Sequence, residues 1–232
     1  MPDAPMEKQL LDFILVPAGL AAMAGYHIWL LRRVLRHPTE TFIGLNAISR
    51  RIWVQAMMED PMKTGVLAVQ TLRNNIMASA LMASTAIMLC SLITVLITGG
   101  SAAGNSMDSI KFFAILLCFL LSFLLNVQSV RYFSHASILI NVPVKSQWRP
   151  TAATAYVAGA VNMGGYFWSM GLRVCYFSFP LFFWIFGPIP MAACCLVLIG
   201  VLYFLDIYSG GRDGGDGGEG AEGMACVSDG RF

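Results

Sequence analysis

The segment Ile76–Thr98 reads IMASALMASTAIMLCSLITVLIT and contains no charged residue. A helix needs about 20 predominantly apolar residues to cross the roughly 30 Å hydrocarbon core of a membrane, so this stretch predicts a membrane-crossing helix. The composition agrees, because 57% of the 232 residues are hydrophobic, only 12% are charged and the mean hydropathy is +0.67. A soluble chain this apolar would expose large apolar patches and aggregate, so we expect an integral membrane protein.

The same helix is predicted to begin well before the apolar run. Asp60-Pro61 is a favourable start, since a carboxylate can cap a helix and proline suits its first turn. The next proline along the chain is Pro143. A helix over residues 61–98 would be about 57 Å long, which exceeds the thickness of a bilayer. We therefore expect the part before Ile76 to project into the cytoplasm.

Five membrane crossings are predicted in all, as an all-α polytopic bundle within a membrane domain of residues 1–208. A glycine-rich loop at 99–106 would join the second and third crossings into a long hairpin. Arg173 is the one charge between Pro150 and Leu205, and the sequence Gly-Pro-Ile-Pro at 187–190 divides that stretch into two helices, the first bent at Pro180. The predicted crossings are residues about 10–31, 61–98, 108–141, 151–186 and 191–208.

A cleaved signal peptide is the alternative interpretation of the first crossing, since Ala22-Met23-Ala24 resembles a cleavage site. The residues before the apolar run include three acids beside a single lysine, and apolar residues continue past the candidate site. Both features are unlike a signal peptide. We therefore expect this helix to be retained.

An amphipathic helix is predicted over about Thr39–Met58, between the first two crossings. Its apolar residues recur at roughly helical spacing, with Arg50 and Arg51 interrupting them. This helix could lie on the membrane surface with its arginines toward anionic head groups, or it could pack on the protein itself. The arginines expected to contact anionic lipid are Arg32, Arg33, Arg36, Arg50 and Arg51.

The distribution of lysine and arginine predicts the orientation in the membrane. The polar stretch at residues 32–75 carries seven of these residues, residues 99–107 carry none, and residues 131–149 carry three. The positive-inside rule places the two basic segments in the cytoplasm, with the N-terminus outside. The glycine- and acid-rich tail at 209–232 would be cytoplasmic and too polar to fold. The plasma membrane is expected ahead of an internal membrane.

Arg173 is the residue that points most directly to a site. An arginine near the middle of a crossing costs about 2.5–3.5 kcal/mol on insertion scales, so it needs a partner or a function. It could hold an anionic substrate or line a polar cavity, pair with Asp206 or with carbonyls freed around Pro180, or snorkel to the inner interface. Asn162 lies eleven residues earlier, close to three turns, and can share a helix face with Arg173. An interhelical hydrogen bond is the role we expect first for Asn162. Arg173, Asn162 and Asp206 are the candidate intramembrane polar site.

The remaining motifs argue against catalysis and against a bound cofactor or metal. Five of the six cysteines lie in apolar segments, no Cys-x-x-Cys pair occurs, and the three histidines share no ligand spacing. We find no phosphate-binding loop, dinucleotide fingerprint or hydrolase motif, and no paired carboxylates inside the predicted crossings. A net charge of +2 is too small to indicate a nucleic-acid partner.

Five short strings together resemble the domain-of-unknown-function family 599 (DUF599), membrane proteins of plants and bacteria. In chain order they are Arg50-Arg51-Ile52-Trp53, Ala83-Ser84-Thr85-Ala86, Lys111-Phe112-Phe113, Ser137-Ile138-Leu139-Ile140 and Gly171-Leu172-Arg173. The resemblance rests on their order and spacing and covers roughly Ala18–Asp206. Asn74-Asn75 and the polar first loop are closer to the plant branch. The resemblance implies a multi-pass membrane protein without an established activity, and it supplies no catalytic residues.

Two functions from different classes are compatible with these observations. The leading hypothesis is a non-enzymatic scaffold or accessory subunit, acting as a homo-oligomer or with a membrane-protein partner, because the crossings hold few charges and the cytoplasmic face is polar and extended. The alternative is a transporter or channel for small solutes or ions, with a polar path near Arg173. The scarcity of intramembrane polar groups and the lack of a clear internal repeat weigh against transport. A membrane-embedded enzyme would need a histidine or acid constellation that we cannot assemble.

Overall fold

The computed structural model describes residues 4–99, 106–142 and 150–207, and these residues form an all-α bundle. A short 3-10 turn, Pro38–Glu40, precedes the second helix. The helices are α1 Ala4–Arg36, α2 Phe42–Glu59, α3 Pro61–Thr98, α4 Ser106–Leu139, α5 Pro150–Phe183 and α6 Pro188–Asp206. The predicted fold class is confirmed, including the long hairpin, which is formed by α3 and α4. The predicted tail at 209–232 lies outside the described residues.

Several helix ends differ from the predicted bounds, and those of α1 and α5 illustrate the reasons. α1 continues to Arg36 instead of ending near 31, and basic residues in its last turn are favourable there because they face the negative end of the helix dipole. α5 ends at Phe183 instead of 186, and Pro180 lies inside it. The chain then turns through Gly187, whose φ of +136° is a conformation that favours glycine, and Pro188 opens α6.

Four helices in the described part of the chain are long and apolar enough to cross a membrane. They lie within Asp12–Arg36, Pro61–Val95, Ser109–Leu139 and Pro188–Asp206. α5 is not among them, so the predicted count of five crossings is not confirmed. α5 contains Asn162 and Arg173 and packs against α2, α3, α4 and α6. A helix surrounded by other helices needs less apolar surface than one that faces lipid.

α5 runs antiparallel to α4 through a close contact. Ser122 Oγ donates to the Gly171 carbonyl at 2.9 Å, and Ser129 Oγ donates to the Gly164 carbonyl at 2.8 Å. The residue numbers rise along α4 as they fall along α5, which defines the antiparallel register.

Small residues on α5 allow this close approach. A Cβ atom on Gly164 would lie 2.9 Å from the ring of Phe133, and one on Gly171 would lie 2.5 Å from Asn126 Nδ2. Real Cβ contacts are longer than this, so larger residues would push the two helices apart. Close packing through small residues is a typical way in which helices associate in membranes.

The buried residues divide the bundle into two ends. The α2 end consists of α2, the beginnings of α3 and α5, and the end of α4, and its apolar core includes Val54, Leu72, Phe133 and Val157. The Trp184 end consists of the end of α3, the beginning of α4 and the end of α5, together with the beginnings of α1 and α6. Separate apolar clusters fill it, around Ile115 between α3, α4 and α5 and around Met191 between α1 and α6.

α2 packs on the protein at the α2 end. Val54 and Met58 are buried in the core of that end, while Phe42 and Ile52 are exposed on the opposite face of the helix. Of the two alternatives for the amphipathic helix, the structure therefore supports packing on the bundle. Contact between its exposed face and a membrane surface stays a prediction.

Candidate intramembrane polar site

Arg173 of α5 forms an ion pair with Asp206 at the end of α6. Arg173 Nη2 donates to Asp206 Oδ1 at 2.5 Å, and the two side chains are 16% and 7% exposed. The hydroxyl of Tyr26 on α1 donates to the second carboxylate oxygen at 2.7 Å. The carboxylate thus receives donors from two other helices, and the three side chains tie α1, α5 and α6 together.

This ion pair lies near one boundary of the layer that the apolar helices would cross. Asp206 is the last residue of α6, whose 19 residues span about 28 Å, close to the thickness of a hydrocarbon core. Arg173 lies about 15 Å along α5 from Phe183, the residue before Trp184, and its side chain meets Asp206. The pairing foreseen for Arg173 is present, and its position at the end of α6 also agrees with a side chain that extends toward the interface.

Aromatic side chains mark both boundaries of this layer. Trp29 stacks on Tyr203 with 5.8 Å between ring centroids, near the ion pair. At the Trp184 end, Trp184 Nε1 donates to Asp12 Oδ1 at 3.4 Å, and Lys111 Nζ lies 5.4 Å from the centroid of the Trp184 ring. Asp12 and Trp29 are seventeen residues apart on α1, about 26 Å. Tryptophan and tyrosine are enriched at membrane–water interfaces, so this spacing is typical of a helix bundle that spans a bilayer.

Asn162 belongs to a different contact from Arg173. Its Oδ1 accepts a hydrogen bond from Arg50 Nε of α2 at 3.1 Å, and Arg50 Cζ lies 6.0 Å from the centroid of the Tyr166 ring. Gly165 makes room for this arginine, because a Cβ atom there would overlap the guanidinium. Burial lowers the pKa of Arg50 below its usual value, and the neutral carboxamide of Asn162 supplies no countercharge. The structure therefore brings Arg173 and Asp206 together and assigns Asn162 to the contact between α2 and α5.

The five arginines expected at anionic lipid divide into engaged and exposed side chains. Arg50 points into the protein, and Arg33 Nη2 pairs with Glu40 Oε2 at 3.2 Å. The other three are exposed and have no ion-pair partner among the described residues. These three are Arg32, Arg36 and Arg51. Their contact with lipid stays a prediction.

A second polar chain crosses three helices in the interior. Ser79 Oγ of α3 lies 3.0 Å from Ser129 Oγ of α4, and Ser129 donates to the Gly164 carbonyl of α5. A hydroxyl has one proton to donate, so Ser79 is the donor in the first of these bonds. Ser129 is not among the residues predicted for a polar site. The signal for Ser129 is its seven-residue spacing from Ser122, which puts both hydroxyls on one face of α4.

Some buried polar atoms have no hydrogen-bond partner within the described part of the bundle. Three of them are Arg173 Nη1, Asn126 Oδ1 and Trp168 Nε1. An unsatisfied buried group costs about 1–3 kcal/mol, so these atoms are the feature that favours a binding role near Arg173. No group of three or more His, Cys, Asp or Glu side chains that could hold a metal ion occurs among the residues that the structure describes.

Comparison with known proteins identifies the family. Curated proteins and solved structures gave no match to this chain. The family described as "Protein of unknown function, DUF599" matches residues 14–210, a range that contains all five strings that suggested the resemblance. The resemblance is therefore confirmed, and together with the apolar helices it indicates an integral membrane protein. The chain belongs to the DUF599 family of proteins of unknown function.

Proposed function

We propose that this protein is a non-enzymatic membrane scaffold or accessory subunit, in which polar side chains hold the helices together. The observation that carries the proposal is the pairing of Arg173 with Asp206 and, through that carboxylate, with Tyr26. The pair has no net charge, and one side of the guanidinium is occupied by protein. An arginine that binds an anionic substrate would instead present its donors to an open path.

The hydroxyls of the interior support the same proposal. Ser79, Ser122 and Ser129 are fully buried and bond to neighbouring helices. Interhelical hydrogen bonds of this kind stabilise membrane bundles. Hydroxyls used in this way are not free to solvate a permeating ion.

The length of the helices supports a role in binding partners outside the membrane. α3 has 38 residues and is about 57 Å long, so it extends well beyond a hydrocarbon core of about 30 Å. α5 connects the two ends of the bundle, so we include it as a fifth crossing, with the N-terminus outside and the α2 end in the cytoplasm of a plasma-membrane protein. The seven basic residues within 32–75 support this orientation. A homo-oligomer or a membrane-protein partner would assemble on the projecting end.

The test measures the oligomeric state of the full-length protein and the flux of ions and organic anions that it supports. After extraction in a mild detergent, we expect size-exclusion chromatography with light scattering to give a homo-oligomer or a complex with a stoichiometric membrane protein. In reconstituted vesicles we expect no flux of small ions or organic anions above that of protein-free vesicles. A monomer without a partner, or a flux that depends on the protein, would overturn the proposal.

Transport of a small solute or ion along a polar path near Arg173 is the second candidate function. The observation that favours it is Arg173 Nη1, which is buried and has no hydrogen-bond partner among the described residues. Flux through wild-type vesicles that is lost in Arg173→Gln, with the thermal stability of the bundle retained, would put transport ahead of scaffolding.

A further inference from the structure

A groove beside α3 at the α2 end lies outside the polar site described above. Its volume is about 710 Å³, and it combines polar and apolar walls. The residues that matter here are the polar Gln70, Arg73, Asn74 and Asn141 and the apolar Val66 and Met77. None of the described residues that line it is acidic.

Arg73 gives the groove a positive charge that the described residues do not neutralise. Arg73 forms no ion pair with any residue that the structure describes, and the side chains of Gln70, Asn74 and Asn141 form no hydrogen bond within that part of the chain. All four residues are exposed. Gly65 lies at the floor of the groove, where a Cβ atom would be 2.7 Å from Asn141 Oδ1. The glycine therefore allows the Asn141 side chain to lie against α3.

The depth of Arg73 matches the layer of lipid phosphates. Cys90 Sγ of α3 donates to the Leu116 carbonyl of α4 at 3.8 Å, so Lys111, at the far boundary, is level with about Val95. Arg73 lies twenty-two residues from Val95 on α3, about 33 Å. A hydrocarbon core is about 30 Å thick, so Arg73 falls just beyond it, in the head-group layer.

The same face of α3 continues into the apolar layer. Met77, Leu81 and Met88 follow Arg73 at intervals that place them on one side of the helix, and they are 58%, 68% and 68% exposed. An acyl chain lying along these side chains would have its phosphate beside Arg73.

We propose that this groove binds one anionic phospholipid, with its phosphate at Arg73 and its acyl chain along Met77 and Leu81. A guanidinium forms paired, charge-assisted hydrogen bonds with a phosphate, and the three carboxamides can both donate to and accept from the hydroxyl or carboxylate groups of the rest of the head group. A groove whose described residues include a cation and no acid favours a head group with net negative charge over the zwitterionic choline and ethanolamine head groups. This inference is independent of the scaffold role, because lipid binding and partner binding are measured separately.

The experiment uses the full-length protein in nanodiscs of phosphatidylcholine with a minor fraction of phosphatidylserine. The lipids that stay bound are counted by native mass spectrometry for the wild type, Arg73→Gln and the matched control Lys63→Gln. Lys63 is an exposed cation on the same helix and does not line the groove. Phosphatidylserine is expected to be enriched on the wild type and on Lys63→Gln, and Arg73→Gln is expected to reduce the enrichment about tenfold, as for the loss of one charge-assisted contact.

Three results would overturn the proposal. Equal enrichment on Arg73→Gln and the wild type would exclude Arg73 from the site. An equal loss in both variants would show general attraction to a basic surface. Displacement of the lipid by inorganic phosphate would show a site for phosphate alone. If Arg73→Gln does not fold, Asn141→Ala keeps the test open, because it removes one exposed carboxamide of the groove and is expected to give a smaller loss of enrichment.

Discussion

Two arginines connect α5 to neighbouring helices, and they differ in the charge of the group that accepts their hydrogen bond. Arg173 meets the carboxylate of Asp206, which also accepts from Tyr26, whereas Arg50 meets the neutral carboxamide of Asn162. Arg173 lies beside the apolar layer, where charge is weakly screened, and Arg50 lies at the α2 end on a helix with an exposed face. The two cations differ in how their burial is compensated: Arg173 has a countercharge, whereas burial lowers the pKa of Arg50 and only a neutral acceptor faces it.

Asp206→Leu should have the largest effect, because it leaves Arg173 buried without its countercharge. Breaking a buried ion pair costs about 3–5 kcal/mol, which we expect as a loss of stability in unfolding of the full-length protein in lipid or detergent. The matched control is Glu40→Gln, which breaks the more exposed pair with Arg33 and should cost no more than about 1 kcal/mol. Equal losses for the two variants would mean that the pair of Arg173 and Asp206 does not stabilise the bundle.

Gly165→Ala should displace the Arg50 guanidinium from Asn162, because the added Cβ overlaps it. We expect a loss of about 1–3 kcal/mol in the free energy of unfolding, the range for overpacking. Gly159→Ala on the same helix is the control, since its Cβ would meet nothing within 4 Å and alanine favours a helix by roughly 0.5–1 kcal/mol. The two substitutions should therefore change stability with opposite signs, and a change of the same sign would contradict the packing described for Arg50.

Arg50→Met should cost less than the loss of Asp206, because it leaves only a neutral acceptor without its donor. Asn162 is 7% exposed, and an unsatisfied buried acceptor costs about 1–3 kcal/mol, measured again by unfolding of the full-length protein. Arg51→Met is the control, since the neighbouring arginine is exposed and should change stability by no more than about 0.5 kcal/mol. If Arg50→Met costs as much as Asp206→Leu, the contrast between the two arginines fails.

Ser79→Ala should have the smallest effect of the series. A double-mutant cycle with Ser129→Ala is expected to give a coupling free energy of about 0.6 kcal/mol, typical of interhelical hydrogen bonds in membrane proteins. Thr85→Val is the control, because the Thr85 hydroxyl donates to the Leu81 carbonyl of its own helix at 2.9 Å. A coupling free energy of zero, or an equal cost for Thr85→Val, would mean that the Ser79–Ser129 hydrogen bond does not stabilise the bundle.

The all-α fold could be predicted from the sequence because its signals are local. The charge-free run at 76–98 and the proline after Asp60 both lie within α3 or at its start. α5 was harder to classify, because hydropathy reports how much of a helix faces lipid, and α5 packs against four other helices.

The candidate site could be predicted only in part. The pairing of Arg173 with Asp206 was foreseen as one alternative, since a charge in an apolar stretch needs compensation and few acids are within reach. An interhelical hydrogen bond was expected for Asn162, but its partner Arg50 was not foreseen, because these residues are 112 positions apart and meet only through the packing of α2 on α5. Spacing along one helix suggested that Asn162 and Arg173 act together, but contacts between helices depend on a register that a single sequence does not contain.

The central claim is that Arg173 has a structural role and holds α1, α5 and α6 together through Asp206. The most direct test is the free energy of unfolding of a triple variant that combines Tyr26→Phe, Arg173→Met and Asp206→Leu. Replacing a buried ion pair with well-packed apolar residues is often neutral or stabilising, so the triple variant should recover what Asp206→Leu loses and should keep its oligomer or partner. A triple variant no more stable than Asp206→Leu alone, or one that folds normally but loses a flux that the wild type carries, would contradict the account.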